Sequence, residues 1–402
     1  MEEVKTYHNN KTFGKWLLII SFIGIITLPL VGPKETESLE KRELSEFPKW
    51  RWSNIWIFFK DYQPYFNDRF AFKNTTINFY GLLKYEVLKL NNLKDNVIIG
   101  HNNWLYLNKR DYVNNVVNNF TEKELQQIHY NLHITTKWFE TKGIKYYFTV
   151  SPVKPHIYPE HSPPYLFYKF QHTKINQLSE YLNKHSEFTF IDYRNDLLDM
   201  KKKYPLLYYK SDTHWNEIGA FIGYKKIMAT IAKDFKELAP NDFKDFYISS
   251  KKLNGGDLQN LLGYNSKNQL IWFNLHPKDS LLPKLKYPNN PIHKISEYSE
   301  NLNILTDYHE FEAWEMEKAP NSLKLFVVRD SFSQHLKKFL SRNFKRSYYA
   351  WMPSIPIYKV AEEKPDIIVH QMLERFLSTY LELPPEIKND TAFTNQFNIE
   401  DF

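Results

Sequence analysis

Apolar residues run almost unbroken from Trp16 to Val31, interrupted only by Ser21, Gly24, Thr27 and Pro29. Counted from Phe13 to Gly32, the stretch reaches about twenty residues, the length a helix needs to cross a bilayer. A cleavable signal peptide shares this pattern, but Pro33 follows Gly32 directly and no A-x-A-like site is present, which favours an uncleaved anchor. Lys5, Lys11 and Lys15 before the run are balanced by Lys34, Lys41 and Arg42 after it. A short tail, residues 1–12, stays inside more readily than the large remainder, so the body is expected outside the cytoplasm.

Residues 33–95 read as a polar linker followed by aromatic-rich helical segments. Asp68 to Phe72 precede a stretch in which Ile77, Tyr80, Leu83, Val87 and Leu90 approximate helical spacing. Beyond residue 95 the pattern changes to strands alternating with helices. Val97–Gly100 and Trp104–Tyr106 predict a hairpin turning at His101–Asn103. Thr121 and Glu124 form a capping-box signal for a helix over Phe120–Thr141. Strands are predicted at Lys145–Val150, Phe188–Asp192, Phe326–Val328 and Asp366–Val369. Helices are predicted around Ile175–His185, Glu217–Phe235 and Gln334–Asn343. This order argues for an α/β fold, a mostly parallel sheet covered by helices on both faces, in a domain spanning residues 96–380 with a tail at 381–402. Ser266 to Thr306, rich in Pro, Asn and Lys, reads as a long insertion or loop region.

Composition changes this picture little. The 402 residues hold enough apolar content, 42%, to bury a core, and aromatics reach 17%. The net charge of +7 is spread along the chain, which argues against a nucleic-acid partner. With no cysteine, there is neither a disulfide nor a thiolate metal site.

Two short stretches carry candidate chemistry. In Ser211-Asp-Thr-His-Trp-Asn216, an extended backbone would put Asp212 and His214 on one side, with the carboxylate on one ring nitrogen and the other free as a base. At Leu325-Phe-Val-Val-Arg-Asp-Ser331 a short apolar strand runs into a serine ahead of a helix, a place suited to an activated nucleophile. Joined, they supply Ser331 as nucleophile, His214 as base and Asp212 as its orienting carboxylate. Alone, each has an ordinary reading as a cap or a loop pair. A metal site in which His156 or His370 joins His214 lacks ligand spacing.

Taken together, Asp212-Thr-His-Trp215 and Arg329-Asp-Ser-Phe332 resemble the SGNH-hydrolase-like O-acetyltransferases of alginate and other exopolysaccharides. Asn67–Phe72, Val97–Leu107, Ser151–Tyr158, Gly256-Asp-Leu258, Lys364-Pro-Asp366 and Glu374-Arg375 look similar as well. The family resemblance implies acetyl transfer through an acetyl-serine onto hydroxyls of an exported or cell-surface polysaccharide. Chemically, an acetyl esterase or deacetylase could use the same triad, and a non-catalytic scaffold of a polysaccharide-export complex could retain it. The Asp-x-His pair precedes the serine, as in this subgroup, and Arg329 stands where ordinary SGNH enzymes have glycine. The oxyanion hole is therefore expected from the Ser331 N–H and its neighbours, with Gly256 and Asn260 as second contributors by position in the resemblance. Lys154 and Tyr158 are candidates to line the cleft, with a Pro-rich turn and a snorkelling Lys as the equal alternative, and so are Glu374 and Arg375, with a structural ion pair as theirs. No metal or organic cofactor is needed. The resemblance further implies a single pass through the bacterial cytoplasmic membrane, a body in the periplasm or at the cell surface, and a multi-span membrane-bound O-acyltransferase that donates acetyl. No separate carbohydrate-binding module is expected after about residue 380.

Overall fold

Strand residues alternate between the two sides of a sheet, so Tyr146, Phe148 and Val150 share one face while Tyr147, Thr149 and Ser151 share the other. The computed structural model describes residues 2–36, 44–50, 55–88, 90, 96–185, 188–262, 269–279, 284–287, 311–351, 354–378 and 381–402. These fall into two units, one of residues 1–92 with 259–267 and one of residues 93–258 with 268–402.

Among the described residues the second unit has eleven strands: β1 Val97–Ile99, β2 Leu105–Leu107, β3 Lys145–Ser151, β4 Phe190–Ile191, β5 Phe246–Asn254, β6 Gln269–Pro277, β7 Lys284–Tyr287, β8 Phe311–Glu315, β9 Lys324–Arg329, β10 Arg346–Trp351 and β11 Ile367–Leu373. Seven of them form one sheet in the order β4-β3-β11-β9-β10-β8-β7. From β4 to β10 all neighbours are parallel, but β8 joins β10 and β7 joins β8 antiparallel. The sheet is thus mostly parallel, as expected, but mixed, because its last edge is completed by strands that need no helical crossover. β7 comes from the stretch read as a loop region, and β6 from the same stretch pairs antiparallel with β5; apart from Lys278 and Asp279, the rest of that stretch lies outside the described residues.

One face of the sheet packs Tyr146, Phe148, Val150, Phe326, Val328, Tyr348, Ala350, Ile368 and Met372 into a continuous apolar core. Helices Glu122–Glu140, Lys174–His185 and Ile357–Glu363 contribute to this core. The first of them starts at the expected capping box, Thr121 with Glu124. The opposite face meets Glu217–Ile231 and Ser333–Leu340, whose buried residues include Phe221, Tyr224 and Phe339. β11 runs four residues past the predicted Val369 and takes in His370 and Gln371. Both are buried polar groups with internal partners, which a hydropathy pattern registers only as the end of a strand.

The first unit holds the helices Glu2–Val31, Ile55–Arg69 and Lys73–Gly81, the last continuing as wider turns through Val87. Phe13–Val31, with a mean hydropathy of 2.0, is long and apolar enough for a membrane span or a signal segment.

Candidate active site

The Asp212 segment is not extended. Its residues form bends between Tyr208 and Trp215, which make an isolated antiparallel bridge. An aspartate at such a bend can turn its carboxylate back onto the N–H two residues on. Asp212 Oδ1 does so, accepting from His214 N at 2.9 Å, and the same oxygen lies 2.7 Å from His214 Nδ1. One oxygen therefore fixes both the backbone and the ring of the histidine. On the ring's far side, His214 Nε2 lies 2.8 Å from Ser331 Oγ. Ser331 is separated from β9 by Asp330 alone, and the helix Ser333–Leu340 begins two residues later. The three side chains thus form one hydrogen-bonded line, all buried, with a remnant of exposure at the serine.

The bend is clamped from below. Lys154 Nζ donates to the carbonyls of Tyr209 and Lys210, both at 3.1 Å, and of Asp212 at 2.8 Å. Burial lowers this ammonium to about 7, against the pull of Asp257 and Asp212; three carbonyl acceptors match the three protons of its charged form. Trp215 Nε1 donates to Phe332 O at 2.8 Å, tying the histidine loop to the serine turn.

Asp257, present in the sequence reading only within Gly256-Asp-Leu258 and with no role, completes the loop. The N–H of Asp257 donates to Asp212 Oδ2 at 2.8 Å, while Asp257 Oδ1 accepts from Thr213 N at 2.7 Å and Oδ2 from the Thr213 hydroxyl. Asp212 thus holds the backbone of Asp257, and Asp257 holds that of Thr213. The available signal was the pair Gly255–Gly256 ahead of a helix start. Gly256 has φ +115°, and a Cβ there would sit 2.2 Å from Ser211 O, so only glycine lets the two segments meet.

The electrostatics follow from this packing. Burial pushes the Asp212 carboxyl up, but the adjacent His214 and the N–H donors outweigh it and hold the group well below the usual carboxylate range. His214 is pulled down by burial, but Asp212, with help from Asp257 at 4.0 Å, leaves it raised above the ordinary imidazole value. Asp257 is pushed up to about 6 by burial and by the Asp212 charge, against His214 and Thr213. Its side chain keeps 40% of its surface, so solvent screens part of this.

The serine turn has its own scaffold. Asp330 Oδ1 accepts from Phe332 N at 2.8 Å and Oδ2 from Leu373 N. Gln371, on β11, donates to Ser151 Oγ at 2.9 Å and to Asp330 Oδ1 at 3.2 Å, and accepts from Ser333 Oγ at 2.5 Å. Ser151 Oγ in turn lies 2.5 Å from the Tyr193 hydroxyl. The N–H groups of Phe332, Ser333 and Gln334 are bonded to Asp330 Oδ1, Asp330 O and Ser331 O. The expected oxyanion donors next to Ser331 are therefore already taken. Ser331's own N–H has no acceptor among the described residues.

Several expected positions lie elsewhere. Arg329 is fully buried and pairs with Glu312 at 2.8 Å, beside Lys337, so it belongs to an ion cluster under the sheet and not to the serine. Lys154 and Tyr158 do not line a cleft: the lysine is spent on carbonyls, and the Tyr158 hydroxyl donates to Pro205 O at 2.9 Å and accepts from Leu207 N at 2.8 Å. Asn260 lies on the helix Asp257–Leu262, in the first unit. Glu374 and Arg375 are not a pair. Glu374 accepts from Val153 N at 3.0 Å and from Thr173, with His156 at 3.3 Å, whereas the Arg375 guanidinium lies over Tyr112 and Phe376. His156 and His370 have these other partners and do not join His214; His370 Nδ1 lies 2.9 Å from the Tyr146 hydroxyl. The group among the described residues with metal-ligand spacing is Asp212, His214 and Asp257. Its facing atoms are already hydrogen-bonded to one another or to Thr213.

A comparison with curated proteins finds no match. Among solved structures, Bacillus cereus PatB1 with a sulfonyl adduct is 17% identical, with a TM-score of 0.52 over 71% of this chain and 96% of its own. A DHHW family protein from Eubacterium siraeum is 12% identical, with a TM-score of 0.50 over 74% of this chain and 94% of its own. At these identities the likeness speaks for the fold alone. The family model of the SGNH hydrolase-like domain of acetyltransferase AlgX matches residues 97–279, a span that contains Asp212, His214 and Asp257 and ends before Ser331. Over that span the chain is similar to the SGNH hydrolase-like domain of acetyltransferase AlgX.

Proposed function

We propose that the protein is a serine O-acetyltransferase that moves acetyl groups onto hydroxyls of an exported or cell-surface polysaccharide. The observation that carries this reading is the unbroken line from Ser331 Oγ through His214 to Asp212, assembled from motifs 117 residues apart. His214 Nε2 takes the Ser331 proton as Oγ attacks an acetyl carbonyl, and the oxyanion forms against the free Ser331 N–H. Collapse expels the donor's leaving group, which carries away the proton from His214, and leaves an acetyl-serine. A sugar hydroxyl then attacks this ester and gives its proton to His214, which returns it to Ser331 Oγ. Throughout, Asp212 holds the tautomer and stabilises the imidazolium.

The donor in this reading is a multi-span membrane-bound O-acyltransferase, since a body outside the cytoplasm has no access to acetyl-coenzyme A. Phe13–Val31 would serve as a single-pass anchor that keeps both proteins in one membrane. The test uses the full chain in detergent with a chromogenic acetyl ester, followed by intact mass. An acetyl gain on Ser331, absent from Ser331→Ala, and acetyl ester appearing on added oligosaccharide are the expected results. An unmodified Ser331 with undiminished turnover would overturn the reading, and acetate released with no sugar ester would make the protein an esterase.

A further inference from the structure

The stripe Tyr80, Leu83 and Val87, which predicted a helix by its spacing, faces outward in that helix: Val87 is 61% exposed. The preceding helix, Ile55–Arg69, behaves alike, with Trp56 79% exposed and Phe59 also open. Phe79 extends the same surface. Two consecutive helices of the first unit therefore present large apolar side chains along their lengths, far more than isolated surface residues would account for.

Their shared end is fixed to the apolar helix. Ala71 N donates to Pro29 O at 3.0 Å, and Glu35 N donates to Arg69 O at 3.3 Å. Glu35 in turn accepts from Asn74 N at 3.0 Å and Asn74 Nδ2 at 2.8 Å. The approach is so close that a Cβ on Gly32 would lie 2.7 Å from atoms of Ala71 and Phe72. The corner between the two helices thus rests on the last turn of Phe13–Val31, where a membrane span leaves the bilayer. Trp56 and Val87 lie 13 and 14 residues from the corner residues Arg69 and Lys73, roughly 20 Å along each helix. Helices standing away from the bilayer would leave those side chains in water; helices lying along it would bury them all.

We propose that helices Ile55–Arg69 and Lys73–Val87 lie in the headgroup region of the bilayer and form an interfacial platform beside the membrane span. The proposal rests on reading Phe13–Val31 as an anchor. Trp, Tyr and Phe are the residues that favour this depth, and basic side chains reach from it to anionic headgroups. Between Leu44 and Leu90 the chain has seven Lys and Arg against four Asp and Glu. Lys34 and Lys84 lie over the rings of Tyr65 and Tyr85, at 5.3 and 4.8 Å, an arrangement that lets a cation and an aromatic share an interface.

Because the chain has no cysteine, single-cysteine variants of the full protein report cleanly. Trp56→Cys, Leu83→Cys and Val87→Cys, with Tyr168→Cys as an exposed control in the second unit, are labelled with an environment-sensitive fluorophore. The labelled proteins are reconstituted into phosphatidylcholine–phosphatidylglycerol vesicles containing nitroxide lipid. At least two-fold quenching at positions 56, 83 and 87, with little at 168, is expected. Quenching no greater than at 168 overturns the platform. Protection from a water-soluble thiol reagent without lipid quenching also overturns it, because a protein surface would then cover the stripe. An alkaline wash of the same vesicles reports on the anchor separately: chain released by the wash but quenched before it keeps the platform and removes the span.

Discussion

The two faces of the central sheet are made by the same strands, and one of them carries far more buried polar side chains than the other. On one face Tyr146, Phe148, Val150, Phe326, Val328 and Met372 meet helices through apolar contacts. On the other, at the alternate positions of the same strands, Thr149, Ser151, Arg329, Ser347 and Gln371 are equally buried and polar, set among Tyr147, Val327 and Val369. A fully buried polar side chain stabilises little and costs much when unpaired, so the second face is retained for what it positions. β3, β9 and β11 end on that side in Ser151, the Ser331 turn and Leu373, whose N–H holds Asp330. The apolar face makes the sheet stable, and the polar face spends part of that stability on holding a serine.

The sharpest way to separate the faces is a pair of truncations. Ser331→Ala should lower the rate on the order of a thousand-fold or more, about 4 kcal/mol of transition-state stabilisation, and shift the urea unfolding free energy by only about 1 kcal/mol. Phe148→Ala should do the reverse, costing about 3–5 kcal/mol of stability through lost burial and a cavity, with the rate per folded molecule unchanged. Comparable stability losses from both substitutions would erase the distinction between the faces.

The apolar face was the legible one. Its strands and the helix after Thr121 follow from periodicity and a capping box, and the two catalytic motifs stand out as charged residues beside apolar runs. What escaped was pairing between distant segments. Arg329 reads as part of the serine motif until Glu312, on β8 two places along the sheet, is seen to claim it. β7 and β8 escaped as sheet-edge strands; β7 sits in the stretch whose Pro, Asn and Lys content argues for a loop. Lys154 reads as a cleft lysine because nothing local reveals that three carbonyls of residues 209–212 wait for it. Asp212 was expected on an extended segment, whereas an aspartate that accepts from His214 N requires a bend.

A smaller effect should come from Gln371, which lies wholly on the polar face. Gln371→Leu removes the partner of Ser151, Ser333 and Asp330 at once, for a stability loss of about 1–3 kcal/mol. A nucleophile loosened by a fraction of an ångström should also lose about ten- to a hundred-fold in kcat, with KM kept. Gln371→Glu keeps the acceptor for Ser333 but sets a second carboxylate against Asp330, and should recover none of the rate. An unchanged kcat in a destabilised Gln371→Leu protein would make Gln371 a structural plug only.

The smallest expected effect tests how far the polar network reaches into the chemistry. His214 works as a base only when neutral, and its pKa is raised, so the rate should fall as pH drops through a value above the ordinary imidazole 6.5. Asp257 contributes to that rise from 4.0 Å, while its N–H and its carboxylate hold Asp212 and Thr213. Asp257→Asn keeps the backbone bond to Asp212 and an oxygen acceptor for Thr213 but removes the charge. The acid limb of the pH–rate profile should therefore move to lower pH by about half a unit to one unit, the scale of a partly screened charge at this distance, with the plateau rate nearly kept. The groups facing Asp257 are Asp212, His214, Lys154 and Tyr112, and of these Asp212 alone carries a like charge. Asp212→Asn then serves as the contrast: it should lower the plateau itself, because the wrong histidine tautomer is favoured. If Asp257→Asn lowers the plateau and leaves the limb where it was, the carboxylate acts only as a brace for the Thr213 backbone, and the charge beside His214 has no part in tuning the base.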